Sequence, residues 1–412
     1  MKRFPSTDYT AAALVLLFAA ACPLAGQNPA PSERARALHA RSLVIDGHIH
    51  AVDREFYHGG DIGQLKSDGQ FDLPRAKEGG LGALFFSIFV TEDYYPARLE
   101  TKEALRMLDF AVDQIARNSR TIEIARTATD IERIHKSGKI AAVLDIEGSF
   151  DLDGDPAVIR QMYRLGMRSV QLSAHNWTNN YADSCCSTAK WKGLNDRGRE
   201  VIREMNRLGM VINVSHASDD SISQAIDLST DPVIATHHGL RSVNDIPRTM
   251  PDWLIKKLAA KGGVFGFQIG NEFHNRKAFD WVTAHSSGKP FWDTSAVQER
   301  GTKLDIYALD KLVAPKFPMM PAAIPQDIRL TVDEWVGVVD RVIQMVGEDH
   351  VSLGSDFDGG PPPPRGFRDV RDLAMITDSM LRRGYSEERI QKFLGGNLLR
   401  VFRQITERPA AK

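Results

Sequence analysis

Eight short apolar runs, each bounded by glycine, proline or polar residues, punctuate the chain. They are Leu43–His50, Leu81–Val90, Ile140–Gly148, Met167–His175, Met210–His216, Pro232–Gly239, Gly262–Gly270 and His350–Gly359. Within them Val, Ile, Leu and Phe run almost without interruption, as in strands buried on both faces. Amphipathic segments lie between the runs. In Gly198–Leu208, Val201, Ile202, Met205 and Leu208 recur at helical spacing, and Trp253–Ala260 behaves similarly. Strand and helix in alternation predict an α/β fold, a (β/α)8 TIM barrel, with a doubly wound open sheet as the alternative. The stretch between the last two runs is longer than one crossover helix requires. It predicts a helical insertion between strands 7 and 8, about 271–349, lying over the barrel mouth. The barrel then occupies 42–405, after a lead-in at 27–41 and before a tail at 406–412.

The polar residues fall in a pattern. Of the 12 histidines, His48, His50, His175, His216, His237 and His238 lie at the end of an apolar run, as do Glu147 and Asp356. In a (β/α)8 barrel the C-terminal strand ends meet on one face, where catalytic groups collect. His48 and His50 in V-I-D-G-H-I-H are two apart, so both face one side of a strand. Read alone, Asp46-Gly47 could simply begin a turn. Glu147 closes L-D-I-E-G, where an unpaired carboxylate would be costly to bury. His216 closes V-I-N-V-S-H and His237 closes P-V-I-A-T-H. These five residues are candidate metal ligands. Asp356, in L-G-S-D-F-D-G, is a candidate acid or base acting on a metal-activated water. His175 is either a ligand or a binder of oxyanion or carboxylate. Arg248, in I-P-R-T-M-P, would by itself pass for a solvated loop charge. His238 and Asp358 face away from their neighbours and suit supporting roles.

Imidazole and carboxylate donors without thiolate suit zinc, with Mn2+, Co2+ or Fe2+ also compatible. Five ligands exceed the roughly three that one catalytic zinc uses. Two zinc ions bridged by Glu147 would account for all five and would acidify a water between them. No G-x-S-x-G and no Cys–His pairing point to covalent catalysis. The formal net charge is -1 and no basic run stands out, so nucleic acid is not an expected partner.

The N-terminus differs from the rest. Lys2 and Arg3 precede an uncharged run from Ala11 to Ala21, and small residues follow to Gly26. These are features of a secretory signal over 1–26, and the run is shorter than the roughly 20 residues a membrane span needs. The expectation is an exported protein, periplasmic or secreted. Cys22, directly after three alanines, permits a lipid anchor to the cell envelope. Cys185 and Cys186 are adjacent, and neighbouring cysteines seldom bond, so no disulfide is expected.

Taken in order, these motifs resemble the membrane (renal) dipeptidases, zinc enzymes of the amidohydrolase-like barrel superfamily. The resemblance runs from about Ser42 to Arg403. It rests on D-G-H at Asp46–His48, I-E-G at Ile146–Gly148 and the Leu172–Asp183 segment. It continues through the stretch from Gly198 to His216, P-V-I-A-T-H, the segment around Arg248, G-S-D-F-D-G and N-L-L-R-V-F. The resemblance implies hydrolysis of dipeptides, some with a C-terminal D-residue, by a homodimeric enzyme. It implies metals on His48, His50, Glu147, His216 and His237, and Asp356 as acid and base. It also implies His175 at the substrate or intermediate and Arg248 on the substrate carboxylate. One departure matters most: the family usually carries H-x-D where this chain has His48-Ile49-His50, which removes a negative charge. The rivals are a barrel hydrolase of a small non-peptide amide or lactone, and an inactive metal-binding envelope protein. A metal store would need neither Asp356 nor Arg248.

Overall fold

Each apolar run contains a strand: β1 (Val44–Ile49), β2 (Leu81–Val90), β3 (Ile140–Gly148), β4 (Ser169–Gln171), β5 (Val211–Asn213), β6 (Ile234–Leu240), β7 (Val264–Phe267) and β8 (Val351–Leu353). The computed structural model describes residues 30–286, 288–290, 292–300 and 304–407. Lys2, Arg3, Cys22 and the end of the tail lie outside the described residues.

Consecutive strands pair in parallel from β1 to β8. The ring then turns back on itself. Asp356 N–H donates to the His48 carbonyl at 2.9 Å and His50 N–H to the Phe357 carbonyl at 3.0 Å. With first and last strands as neighbours, the sheet is a nearly closed barrel, not an open doubly wound sheet. Short strands at Ile122–Ile124 and Thr249–Met250 pair outside this ring, the second against the end of β6.

Glycine allows the strands to approach so closely. A Cβ on Gly354 would lie 1.8 Å from the Thr236 carbonyl oxygen, and one on Gly266 would lie 2.0 Å from it. β7 and β8 therefore press against the β6 backbone where side chains would have held them off. Helices cover the outside. Asp196–Leu208 is capped by Asn195 and ends on Gly209 at φ 72°. The lead-in forms a helix, Glu33–Arg41, that packs on Ala374–Arg382.

The long stretch between β7 and β8 divides in two. Asn271–His274, Arg276–His285, Ser295–Arg300 and Ile306–Val313 form the insertion. Ile306, Leu309, Val313 and Phe317 pack with Phe89 and Tyr94 at the end of β2, which carries the insertion across the mouth. Val332–Val346 is the barrel's own crossover helix, opened by a Thr331–Glu334 capping box. The insertion thus ends before 332, short of the sequence expectation, because the last apolar periodicity belongs to the barrel.

The cysteine expectation fails. Cys185 and Cys186 are joined by a disulfide. Ser184 Oγ donates to the His175 and His216 carbonyls, and Cys185 N–H donates to the His216 carbonyl at 2.8 Å. The backbone is pinned on the N-terminal side of the pair, and the two sulfurs are held together.

Trp335 links the helical layer to the barrel. It is fully buried, and its Nε1 donates to the Gln268 carbonyl at 3.0 Å. Trp335→Ala is expected to destabilise the fold by about 3–5 kcal/mol, read as a lower midpoint in chemical denaturation.

Candidate metal centre and active site

All eight predicted site residues stand at or just beyond the C-terminal end of a strand or in the loop that follows it. His48 lies in β1 and Glu147 in β3, while His50 directly follows β1, and His175 and His216 lie a few residues beyond β4 and β5. His237 lies in β6, Arg248 in the loop after it, and Asp356 follows β8. Three of them leave their strand in a left-handed turn: His175 at φ 57°, His216 at φ 64° and Asp356 at φ 63°. Non-glycine residues avoid this region at a cost of about 1–3 kcal/mol, and such strain clusters at functional sites.

Glu147 stands at the centre, buried, and its ion-pair partners among the described residues are all imidazoles. Its two oxygens face different sides. Oε2 lies 2.9 Å from His48 Nε2 and 3.0 Å from His50 Nε2. Oε1 lies 3.1 Å from His216 Nε2 and 3.5 Å from His237 Nε2. Asp356 Oδ1 joins the first side, 3.2 Å from His50 Nε2. His175 Nε2 stands 3.8 Å from Oε1.

These spacings fit cations. Two donors about 2.0–2.1 Å from one tetrahedral zinc lie about 3.4 Å apart. His216 and His237 Nε2 are 3.0 Å apart, and the other donor separations fall around the same value. Donor triads assemble from His48, Glu147 and His237, from His48, His50 and Asp356, and from Glu147, His175 and His216.

The protein's own charges express the same demand. Burial disfavours a charge on His48, but Glu147, Asp145 and Asp356 outweigh it and raise His48 to about 9. Burial, with His48 and Arg248, pushes His237 down to about 3. Against burial, the surrounding imidazoles hold Glu147 well below the usual carboxylate range. The centre is arranged around positive charge that its own side chains supply only as protons, and metal binding exchanges such protons for cations.

Residues that sequence reasoning missed orient the rings. Asp53 Oδ2 meets His50 Nδ1 at 2.7 Å, whereas Asp145 Oδ2 stands 3.5 Å from His48 Nδ1 as a charge neighbour without a hydrogen bond. Asn176 Oδ1 meets His216 Nδ1 at 3.1 Å, and Glu92 Oε1 meets His175 Nδ1 at 2.6 Å. Gln268 Nε2 donates to Asp356 Oδ2 at 3.2 Å. Such partners fix a ring's tautomer and direction. Asp145, two residues before Glu147, and Glu92, the first acid after β2, also lie near strand ends; that was the available signal. His238 lies on Arg248, Nδ1 to Nη1 at 3.5 Å, and Asp358 accepts from the Gln70 and Phe71 amides, away from the centre.

A cavity of about 290 Å3 opens over the centre, lined by His50, Glu147, His175, His216, Arg248 and Asp356, among others. That is the small end of the range for ligand pockets. Arg248 is fully buried at its wall. Nη2 donates to the His237 carbonyl at 3.1 Å, and Nε has no hydrogen-bond partner among the described residues. Burial lowers its pKa to about 10, while Glu147 and Asp356 oppose that shift. A buried planar fork with spare donors suits a carboxylate. The arrangement offers a two-sided cation site, a carboxylate at Asp356 that can accept a proton and an anion anchor, in a space for a small molecule.

Comparison with known proteins agrees. Dipeptidase tcpJ of Claviceps purpurea (strain 20.1) is 30% identical over 352 residues, covering 84% of this chain and 71% of that protein. Among solved structures, the probable dipeptidase PvdM from Pseudomonas aeruginosa shares the fold, with a TM-score of 0.74 and 24% identity, over 91% of this chain and 98% of that one. So does a metallo peptidase from Rhodobacter sphaeroides liganded with a phosphinate mimic of the dipeptide L-Ala-D-Ala, with a TM-score of 0.68 and 22% identity, over 89% of this chain and 99% of that one. The sequence profile of the membrane dipeptidases matches residues 32–411, and the chain belongs to that family, peptidase family M19.

Proposed function

We propose that the chain, a metal-dependent dipeptidase, works with two divalent cations bridged by Glu147 and holds its substrate by the C-terminal carboxylate. The observation that carries this reading is the two-faced Glu147, with an imidazole pair on each oxygen, under a small cavity that ends at a buried arginine. His48 and His50 would hold one ion and His216 and His237 the other, and the donor set favours zinc. When bound, such ions polarise the scissile carbonyl and lower the pKa of water. Arg248 pairs with the substrate carboxylate through its free donors. Asp356 accepts the proton of the attacking water on Oδ1 and returns it to the leaving nitrogen. Gln268 keeps that carboxylate turned inward. His175 meets the oxyanion that develops at the carbonyl, its ring direction set by Glu92. The size of the cavity favours dipeptides over longer peptides, and the site leaves open both L,L and L,D stereochemistry.

His50 stands where the family's aspartate is usual, and Asp53 behind it supplies a carboxylate at one remove. We also propose that the protein is exported. The charged start and short apolar run support this, and so does the Cys185–Cys186 disulfide, since disulfides persist in oxidising compartments. No helix among the described residues is long and apolar enough to cross a membrane.

Three outcomes are expected. Asp356→Asn tolerates the left-handed turn, so it should keep its metal while kcat on L-L and L-D dipeptides falls about 10²–10⁴-fold. If the wild type binds two metals yet cleaves no member of such a panel, the dipeptidase reading is lost. Asp53→Asn should weaken metal affinity about 10–100-fold, measured by titration with a metal indicator. Intact-mass analysis of the protein from its native host should give an N-terminus near residue 27, or a lipid-modified Cys22; an unprocessed Met1 would rule out export by this signal.

A further inference from the structure

The cavity wall carries one acid that the reaction above does not use. Glu272, in the short Asn271–His274 helix after β7, lines the cavity and is 4% exposed. Its Oε2 has no hydrogen-bond partner among the described residues. Its main chain is held by Asn244, whose Nδ2 donates to the Glu272 carbonyl at 2.7 Å.

Its neighbours locate the carboxyl. A Cβ on Gly270 would lie 2.9 Å from Glu272 Oε2, 2.7 Å from Gln268 Oε1 and 2.5 Å from Pro361 Cβ. Glu272 therefore lies beside Gln268, the residue that holds Asp356. Phe273, the next residue, lines the same cavity, with the Arg248 guanidinium 5.6 Å from its ring centroid. Glu272 thus lines the same cavity as Asp356, the group that meets the leaving nitrogen, and Arg248, the group that anchors the C-terminal carboxylate. The residue bound between those two points is the C-terminal residue of the substrate, and Glu272 walls the space for its side chain. Phe273, Val282, Met319 and Met320 line the same cavity and offer an apolar surface for the stem of a long side chain.

A buried carboxyl with an unused oxygen is costly, and such groups in native proteins call for an explanation. Burial, with Asp356 adding to it, pushes Glu272 up to about 8, against the opposing effects of its own backbone amide and of Arg329. A donor from the substrate would satisfy the oxygen, and an ammonium would also neutralise the charge.

We propose that Glu272 is a specificity-determining residue that selects dipeptides whose C-terminal residue bears a hydrogen-bond donor at the end of its side chain, an amine above all. This rests on the dipeptidase reading, with Arg248 as the C-terminal anchor.

The test uses the metal-loaded full enzyme with Ala-Lys, Ala-Gln and Ala-norleucine, and with Lys-Ala and norleucine-Ala as the reversed pair. The wild-type ratio of kcat/KM for Ala-Lys over Ala-norleucine should be roughly tenfold or more, the worth of one buried hydrogen bond to a charge. In Glu272→Leu it should fall to about one. In Glu272→Gln the Ala-Gln preference should persist while the Ala-Lys preference shrinks, which a mere packing defect would not produce. A wild-type ratio near one, a ratio unchanged in Glu272→Leu, or an equal change in the reversed pair would overturn the proposal. Hydrolysis of Ala-norleucine by the wild type upholds the dipeptidase reading separately. If all five peptides resist, that reading falls and this one with it.

Discussion

A buried carboxylate whose ion-pair partners among the described residues are all imidazoles is the constraint around which the barrel is organised. Glu147 sits at the C-terminal end of β3, out of water, and ionised carboxylates do not persist there unless positive charge is brought to them. The chain brings it from β1, β5 and β6, two imidazoles to each oxygen. β1 is distant in sequence from β5 and β6, and it meets them only because the sheet closes. The β1–β8 seam matters for the same reason, since the hydrogen bonds that close it, Asp356 to His48 and His50 to Phe357, are made by the site's own backbone. Fold closure and site assembly are one event.

Rigidity accompanies that arrangement. His175, His216 and Asp356 hold left-handed backbone conformations that the surrounding packing must enforce. Gln268 shows how the enforcement reaches outward. Its side chain positions Asp356, its carbonyl accepts from Trp335, and Trp335 is packed by Phe267 and Phe393. Asp356 is thereby tied through two residues to the outer helical layer.

Much of this was legible beforehand. The strands were readable because parallel strands buried on both faces leave unbroken apolar runs. The site was readable because barrel topology turns "end of a run" into "same place in space". What escaped had no such shortcut. Asp53, Glu92, Asn176 and Glu272 lie in loops or short helices whose direction depends on contacts made only in the folded chain. The insertion was drawn too long because the helix beginning at Val332 continues the barrel's rhythm, not the insertion's. The cysteine pair was misjudged because the general rule for neighbours ignores how tightly Ser184 and Cys185 are tied to the strand ends. Arg248 passed for a surface charge on its own residues, since nothing local says that its loop pairs back onto β6 and buries the guanidinium.

His50 and Asp53 bear on how such chains are compared. The negative charge that the family usually carries at position 50 stands here three residues later, one ring behind the centre. A column-by-column alignment scores this as the loss of the usual acid. Summed over the site, the charge has only moved outward by the width of an imidazole. Homologues of this kind are better sorted by the balance of donors and charge around Glu147 than by the letter at any one position, and a search pattern that insists on aspartate there would discard sequences whose electrostatics are intact.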